Sequence, residues 1–158
     1  MAVVLSFQET ITDSKNRGRT TMMSNNELES LFGDNVIVCT QQDLIDDGAL
    51  VDITTTAKEN GFVVPVAVTL ALFKRLEVTS FDESIGQSLD ARVHDLCFVS
   101  RYWIQSGRNN PSRIPSSIVV IRARNDGSTR QTTLNFDICM SFTTGGAPAI
   151  TFAMPGED

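Results

Sequence analysis

The sequence predicts an α+β fold with two layers, in which a C-terminal three-stranded antiparallel meander packs against helices. Roughly the last forty residues contain three short segments in which apolar and polar residues alternate, and turn sequences separate these segments. Before them, apolar side chains recur at helical spacing of three and four. A chain of 158 residues with 41% hydrophobic content can bury one core, so we expect a single α+β domain over residues 35–158.

Residues 1–34 are polar and show no sustained period, which predicts a partly flexible N-terminal arm. The sequence "MMSNNELESLF" resembles an alternative start, so residues 1–22 can be an upstream extension. The folded part opens with the apolar run "VIVC", residues 36–39, which predicts a buried strand that could extend the sheet.

Two short helices and a longer one are predicted next. Thr40 and Asp43 have capping-box spacing, so "QQDLIDDG" is interpreted as a short helix, and "LVDI" follows it. The segment "TTAKEN" predicts a second short helix capped by Thr54 or Thr55. Pro65 can occupy the first position of a third helix, "PVAVTLALFKRL", whose nearly continuous apolar character predicts a central location.

The second half of the chain contains the clearest patterns. The segment "TSFDES" is interpreted as loop and cap, followed by a long helix whose core face is marked by Ile85, Leu89, Val93, Leu96, Cys97 and Trp103. After the loop "SGRNNPSRIPSS", the strand "IVVIRAR" and the turn "NDGS" are predicted. The next strand alternates strictly, and after "TTGGAP" the strand "AITFAM" alternates again.

Charge and cysteine content limit the possible partners and location. The net charge of −6 and pI of about 4.7 argue against direct nucleic-acid binding and against binding to a membrane surface, since both are negatively charged. The charge is also divided, with acidic residues concentrated between residues 23 and 60 and arginines between residues 107 and 130. Three widely spaced cysteines and no signal peptide predict a protein of the host-cell cytoplasm.

Few residues suggest catalysis. His94 is the sole histidine, and Cys97 lies one helical turn away, but the pattern places that thiol on the apolar side. The aspartates of "DLIDDGALVD" fail the EF-hand spacing, although Asp46, Asp47 and Asp52 could form a different Mg²⁺ site. No phosphate-binding loop is present, so the sequence predicts no cofactor, no metal and no catalytic residue.

Six residues are candidates for binding a ligand or partner. Arg122, Arg124 and Arg130 could cluster on one sheet face and bind an anion, or form a solvated edge. Asp137 lies on the polar side of its strand and faces either solvent or a cleft. Glu157 and Asp158 end a tail that could dock into a basic pocket, its own or a partner's, or act only as a solubilising tail.

The blocks "VCTQQDLIDDGALVDITTTAKENGFVVPVAVT", "ARVHDL" and "AITFAMPGED" resemble a family of small uncharacterised proteins encoded by phages, plasmids and some chromosomes. The shared pattern is "DGxLVDxxxTAxExGFxxPVAxT" with a C-terminal "PGED", and it spans about residues 36–158. The family has no assigned reaction, so the resemblance implies a mobile-element context and no site residues.

The leading hypothesis is a non-catalytic accessory protein that binds a host or phage protein, as an inhibitor of host defence or a modulator of replication. One alternative is a small enzyme or phosphate-binding domain that uses the arginine-lined sheet face, with Asp46, Asp52 or Asp95 as the carboxylate. Another is a virion or assembly component that docks through the N-terminal arm. The oligomeric state is not predicted.

Overall fold

A computed structural model describes residues 40–106 and 112–157. It confirms the α+β class, with helices packed on an open, mixed five-stranded sheet. The helices are α1 (Gln41–Asp46), α2 (Thr54–Glu59), α3 (Leu70–Leu76), α4 (Ser80–Ser84) and α5 (Leu89–Ser106). The strands are β1 (Leu50–Asp52), β2 (Val66–Thr69), β3 (Arg113–Ala123), β4 (Thr129–Phe142) and β5 (Pro148–Ala153). The predicted arm and the predicted strand at residues 36–39 lie outside the described residues.

The sheet order is β1-β2-β5-β4-β3. Strand β2 pairs parallel with β5, and every other pair is antiparallel. Even-numbered residues of β4, such as Phe136 and Ile138, enter the core together with Phe152 of β5. Leu72 of α3 and Leu96 of α5 complete that core from the helix side. None of the helices within the described residues is long and apolar enough to cross a membrane.

The predicted helix beginning at Pro65 is wrong in its first half. Residues Val66–Thr69 form strand β2, and the helix begins only at Leu70, where the Thr69 hydroxyl accepts a hydrogen bond from the Leu72 amide. Strand β2 has a parallel and an antiparallel neighbour, and Val66, Ala67 and Val68 are fully buried. A strand buried on both faces is apolar at successive positions, so its pattern resembles that of a buried helix.

Strand β3 begins earlier than predicted and includes part of a segment interpreted as loop. Residues 113–117 belong to the strand despite Pro115. Proline is tolerated in an edge strand where its missing N–H would have pointed away from the neighbouring strand. Other boundaries also differ, since "SFDES" forms α4 and α5 extends from Leu89 to Ser106.

Local capping explains several helix starts. The predicted capping box of α1 is confirmed, because the Thr40 hydroxyl accepts from the Asp43 amide and the Asp43 carboxylate accepts from the Thr40 amide. Helix α4 has the same arrangement between Thr79 and Asp82. The predicted threonine cap of α2 is wrong, because Ile53 precedes that helix and provides no side-chain acceptor.

A buried carboxylate joins the helices to the edge of the sheet. Asp82 of α4 is fully buried and lies 3.3 Å from Arg92 of α5 and 3.3 Å from Arg122 of β3. The Asp82 carboxylate also accepts hydrogen bonds from the amides of Thr79 and Ala123 at 3.0 and 2.8 Å. Both of its oxygens therefore have donors, as a carboxylate removed from water requires.

Arg92 extends this connection to α3 and to the outer edge of β3. Its Nη1 donates to the carbonyls of Leu76 and Glu77 at 3.1 and 2.8 Å. Its Nη2 donates to the carbonyl of Ile121 at 2.8 Å. The Arg92 side chain is only 2% exposed, so these bonds fix where α5 lies on the sheet. We call Asp82, Arg92 and Arg122 the buried ion cluster.

Burial alone would raise the pKa of Asp82, but the Thr79 and Ala123 amides and the Arg92 guanidinium outweigh it and hold the pKa well below its ordinary value of 3.8. Burial and the charge of Arg122 lower the pKa of Arg92, while Asp82 opposes that change. Asp82 is therefore ionised at neutral pH.

We expect Asp82→Asn to lower the free energy of unfolding by about 3–5 kcal/mol, because it leaves the Arg92 charge buried without its counter-ion. The matched control is Asp126→Asn, the same change at an exposed turn aspartate bonded to Ser128. The control change should lower the free energy of unfolding by about 1 kcal/mol or less, since substitutions of surface residues rarely destabilise a protein by more than that. Urea unfolding of both variants measures the difference, and equal losses would contradict the assigned role of Asp82.

The same cluster predicts a pH dependence. Because the pKa of Asp82 is lower in the folded protein than in the unfolded chain, its contribution is fully present above the unfolded value and is lost as the pH falls below it. The difference in unfolding free energy between wild type and Asp82→Asn should therefore shrink as the pH is lowered from 7 to about 3. Urea unfolding of both proteins across this pH range tests the prediction. A difference in unfolding free energy that stays constant with pH would refute it.

Candidate functional site: the aromatic surface of helix α5

Helix α5 has one face in the core and one face exposed. Its buried residues recur at spacings of three and four, and they are Arg92, Val93, Leu96, Cys97 and Ser100. Ala91, Asp95, Phe98 and Tyr102 lie on the opposite side and are exposed. Two large aromatic side chains therefore stand one turn apart on a face that the rest of the described chain does not cover.

Helix α5 carries three exposed aromatic side chains. Phe98 is 69% exposed, Tyr102 61% and Trp103 44%. The rings of Tyr102 and Trp103 meet edge to face, with centroids 5.8 Å apart. We call these three residues the aromatic surface. Trp103 is predicted by its spacing to lie in the core, but it is near the end of α5 and keeps much of its surface in solvent.

Acidic groups lie on α5 and on the adjoining helix α2. Asp90 and Asp95 of α5 are exposed, and the Glu59 carboxylate lies 3.2 Å from Nε2 of His94. The Asn60 amide donates to the Thr56 carbonyl and also contacts Nδ1 of His94 at 2.8 Å. His94 Nδ1 is therefore the acceptor, and Nε2 carries the proton that faces Glu59.

A second contact holds α2 against α5. Arg101 Nη1 donates to the Asn60 carbonyl at 2.9 Å. The guanidinium passes so close to Gly61 that a Cβ at this position would lie 2.6 Å from Nη1, and Gly61 also has a φ of +85°. The positive φ is what favours glycine here, since the end of the Arg101 side chain could shift away from an added Cβ but the backbone would remain strained. The acidic end of α2 is thereby fixed beside the exposed helix.

Cys97 is on the buried face of α5 and is fully enclosed. Burial raises the pKa of the Cys97 thiol to about 12. Because the thiolate is the nucleophilic form, Cys97 and His94 do not form an activated pair in this arrangement. No group of three or more histidine, cysteine or acidic side chains within residues 40–106 and 112–157 is placed to hold a metal ion.

The predicted arginine residues do not share one role. Nη1 of Arg122 donates to the Glu77 carbonyl at 2.7 Å and Nη2 to the Arg75 carbonyl, in addition to the contact with the Asp82 carboxylate. Arg130 is the register partner of Arg122 on β4 and is exposed. Arg124 is also exposed, at the hairpin that joins β3 to β4. Arg122 is thus committed to internal contacts, and the other two face solvent.

The C-terminal segment docks onto its own chain. Glu157 Oε2 accepts from the Thr69 hydroxyl and from the Met154 amide, both at 2.7 Å. Arg113, which the sequence analysis did not select, donates to the Glu157 carbonyl. The Glu157 side chain therefore forms internal bonds, whereas Asp158 lies outside the described residues.

Arg113 also connects this segment to Asp137. Its Nε lies 3.4 Å from the Asp137 carboxylate and 3.4 Å from the sulfur of Cys139. Asp137 is 7% exposed, so it is largely buried on β4 and does not project into solvent. Gln41 of α1 contacts the same side of the sheet, where its amide donates to the Ile150 carbonyl at 2.8 Å.

The aromatic surface is not among the site residues predicted from the sequence. The sequence does contain a pattern that indicates it, because Phe98 and Tyr102 are four positions apart on a helix and lie opposite the apolar stripe through Val93 and Leu96. Comparison of the chain with protein-family models, with curated proteins and with solved structures finds no match.

Proposed function

We propose that this chain is a non-catalytic, mobile-element accessory protein that binds a host or phage protein through the aromatic surface of α5. The observation that carries the proposal is the joint exposure of Phe98, Tyr102 and Trp103 in the C-terminal half of one helix. Exposed aromatic clusters of this kind are uncommon on monomers and typical of interfaces. Tyrosine and tryptophan are also enriched among the residues that dominate binding energy.

Charge indicates the chemistry of the partner. Asp90, Asp95 and Glu59 lie on or beside α5, and the whole chain carries a net charge of −6. A complementary surface would have an apolar centre flanked by lysine or arginine. Such cations could also contact the faces of the exposed rings. The fitting partner is therefore a protein with a basic, partly apolar patch.

The phage or plasmid setting rests on the sequence blocks that resemble the mobile-element family. Inhibition of host defence and modulation of replication are both consistent with binding of one protein by another. For the fold, we also propose the predicted three-stranded C-terminal meander, with a strand at residues 36–39 extending the sheet. The N-terminal arm of the assembly hypothesis lies outside the described residues.

The alternative of a phosphate-binding arginine face has less support. Arg122 donates to two carbonyls and contacts Asp82, so its guanidinium is already engaged. Binding of an anion there would require those bonds to break. Arg124 and Arg130 remain exposed, but two solvated arginines at a hairpin are ordinary for an edge of a sheet.

We expect the pair of changes Phe98→Ala and Tyr102→Ala to weaken partner binding by about 100-fold or more while the fold is retained, because interface aromatics commonly contribute about 2 kcal/mol or more each. The matched control is Phe142→Ala, which removes an equally large ring that is 57% exposed on β4. The control should leave affinity unchanged. Thermal unfolding of all three proteins verifies that the fold is intact.

The partner for this measurement can be found by placing a photoreactive phenylalanine analogue at position 102 in cells that carry the mobile element. We expect a discrete cross-link to a protein with a basic surface patch, competed by wild-type chain and not by the double variant. The same analogue at position 142 should give no such product. Equal products from both positions, or none from position 102, would contradict the proposal.

A further inference from the structure

In the part of the chain that the structure describes, β3 is an edge strand whose outer side is open along its centre. Among residues 40–106 and 112–157, only β4 pairs with it. Its central segment "SSIVVI", residues 116–121, has no charged residue, and Val119 is 59% exposed. Natural edge strands of this length commonly have charges or other devices that prevent further pairing.

The backbone groups that point outward can be identified from the ladder. The Arg124 amide donates to the Ser128 carbonyl at one end of the β3–β4 ladder, and the Met140 amide donates to the Ser112 carbonyl at the other. Hydrogen-bonded residues alternate with residues whose N–H and C=O point away from the partner strand. The even-numbered residues of β3 therefore bond to β4, and the odd-numbered residues face outward.

The two ends of this outer edge differ from its centre. At one end, Arg92 donates to the outward carbonyl of Ile121, and Asp82 accepts from the outward amide of Ala123. At the other end, Pro115 has an outward carbonyl but no N–H to donate. Between them lie outward groups that no other residue of 40–106 and 112–157 bonds: the carbonyls of Pro115, Ser117 and Val119, and the amides of Ser117, Val119 and Ile121.

We propose that β3 pairs antiparallel with β3 of a second copy of this chain, about a two-fold axis at Ile118. In that register, Ser117 exchanges two hydrogen bonds with Val119 of the second copy, and the symmetric pair does the same. The Ile121 amide donates to the carbonyl of Pro115 of the second copy. The missing N–H of that proline faces the Ile121 carbonyl, which already accepts from Arg92.

This register therefore satisfies every open outward group, with about six hydrogen bonds across the axis. A shift of the axis to Val119 would instead place Ser117 opposite Ile121, and the Ser117 amide would compete with Arg92 for the Ile121 carbonyl. The asymmetric closure of the edge, by a proline at one end and by the buried ion cluster at the other, thus selects one self-complementary pairing.

The side chains on the outward-facing residues support the same pairing. Val119 is 59% and Ile121 37% exposed, and both lie on the sheet face opposite the main core. Pairing about Ile118 sets Ile121 beside Pro115 of the second copy, and brings the two Val119 side chains into diagonal proximity. The side chains of Val119, Ile121 and Pro115 that this pairing brings together are apolar and uncharged. An interface of this size is small, so we expect a weak, concentration-dependent dimer.

Sedimentation velocity of the full chain over a series of concentrations tests the proposal. Wild type should shift reversibly from monomer to dimer. Val119→Lys should raise the dissociation constant about tenfold or more, because two like charges then lie diagonally across the axis and repel each other. Val119→Thr, which keeps the β-branched shape without charge, is the matched control and should dimerise like wild type.

A mixture of Val119→Lys and Val119→Glu provides the decisive arm, since opposite charges should restore the dimerisation that the charge weakens in each variant alone. Thermal unfolding verifies that each variant is folded, as expected for a side chain so exposed. Wild type that stays monomeric at the highest concentration, or a Lys variant that dimerises like the Thr variant, would overturn the proposal. The double variant at Phe98 and Tyr102 should dimerise normally, which separates this test from the proposed partner binding.

Discussion

The ionised carboxylate of Asp82, enclosed without water access, is the group on which the arrangement of this molecule depends. Its position forces the surrounding chain to provide donors, and they come from a helix cap, a long helix and an edge strand. A buried ion pair is not by itself a strong source of stability compared with apolar packing. Its physical effect is directional, because only one placement of α5 brings the Arg92 guanidinium to the carboxylate and to three backbone carbonyls.

This constraint connects the two surfaces. Once Arg92 points inward, the helical period turns Phe98 and Tyr102 outward, so the aromatic surface follows from the burial of an arginine. The same guanidinium and the Asp82 carboxylate occupy outward backbone groups of β3, where another strand would otherwise bond. The cluster thus closes one end of the edge and leaves the centre open, and a dimer formed there would present two copies of the aromatic surface.

The sequence was informative where one physical requirement dominated. The α1 capping box and the strict alternation of β4 could be predicted because each depends on neighbouring residues alone. Strand β2 could not, since burial on both faces removes the alternation that marks a strand. The burial of Arg92 could not be predicted from the local sequence either, because its counter-ion Asp82 belongs to a separate helix. Asp137 and Glu157 were selected as binding candidates, yet Arg113 joins both of them within the chain.

The buried ion cluster closes one end of the β3 edge, and the proposed dimer pairs the centre of that edge. Residue-resolved amide hydrogen exchange, measured at low and high protein concentration, tests it most directly. The Ala123 amide should be protected at both concentrations, because its acceptor is Asp82. The amides of Ser117, Val119 and Ile121 should exchange rapidly in dilute protein and become protected as the concentration rises. An Ala123 amide that exchanges as fast as that of Val119, or central amides insensitive to concentration, would contradict the account.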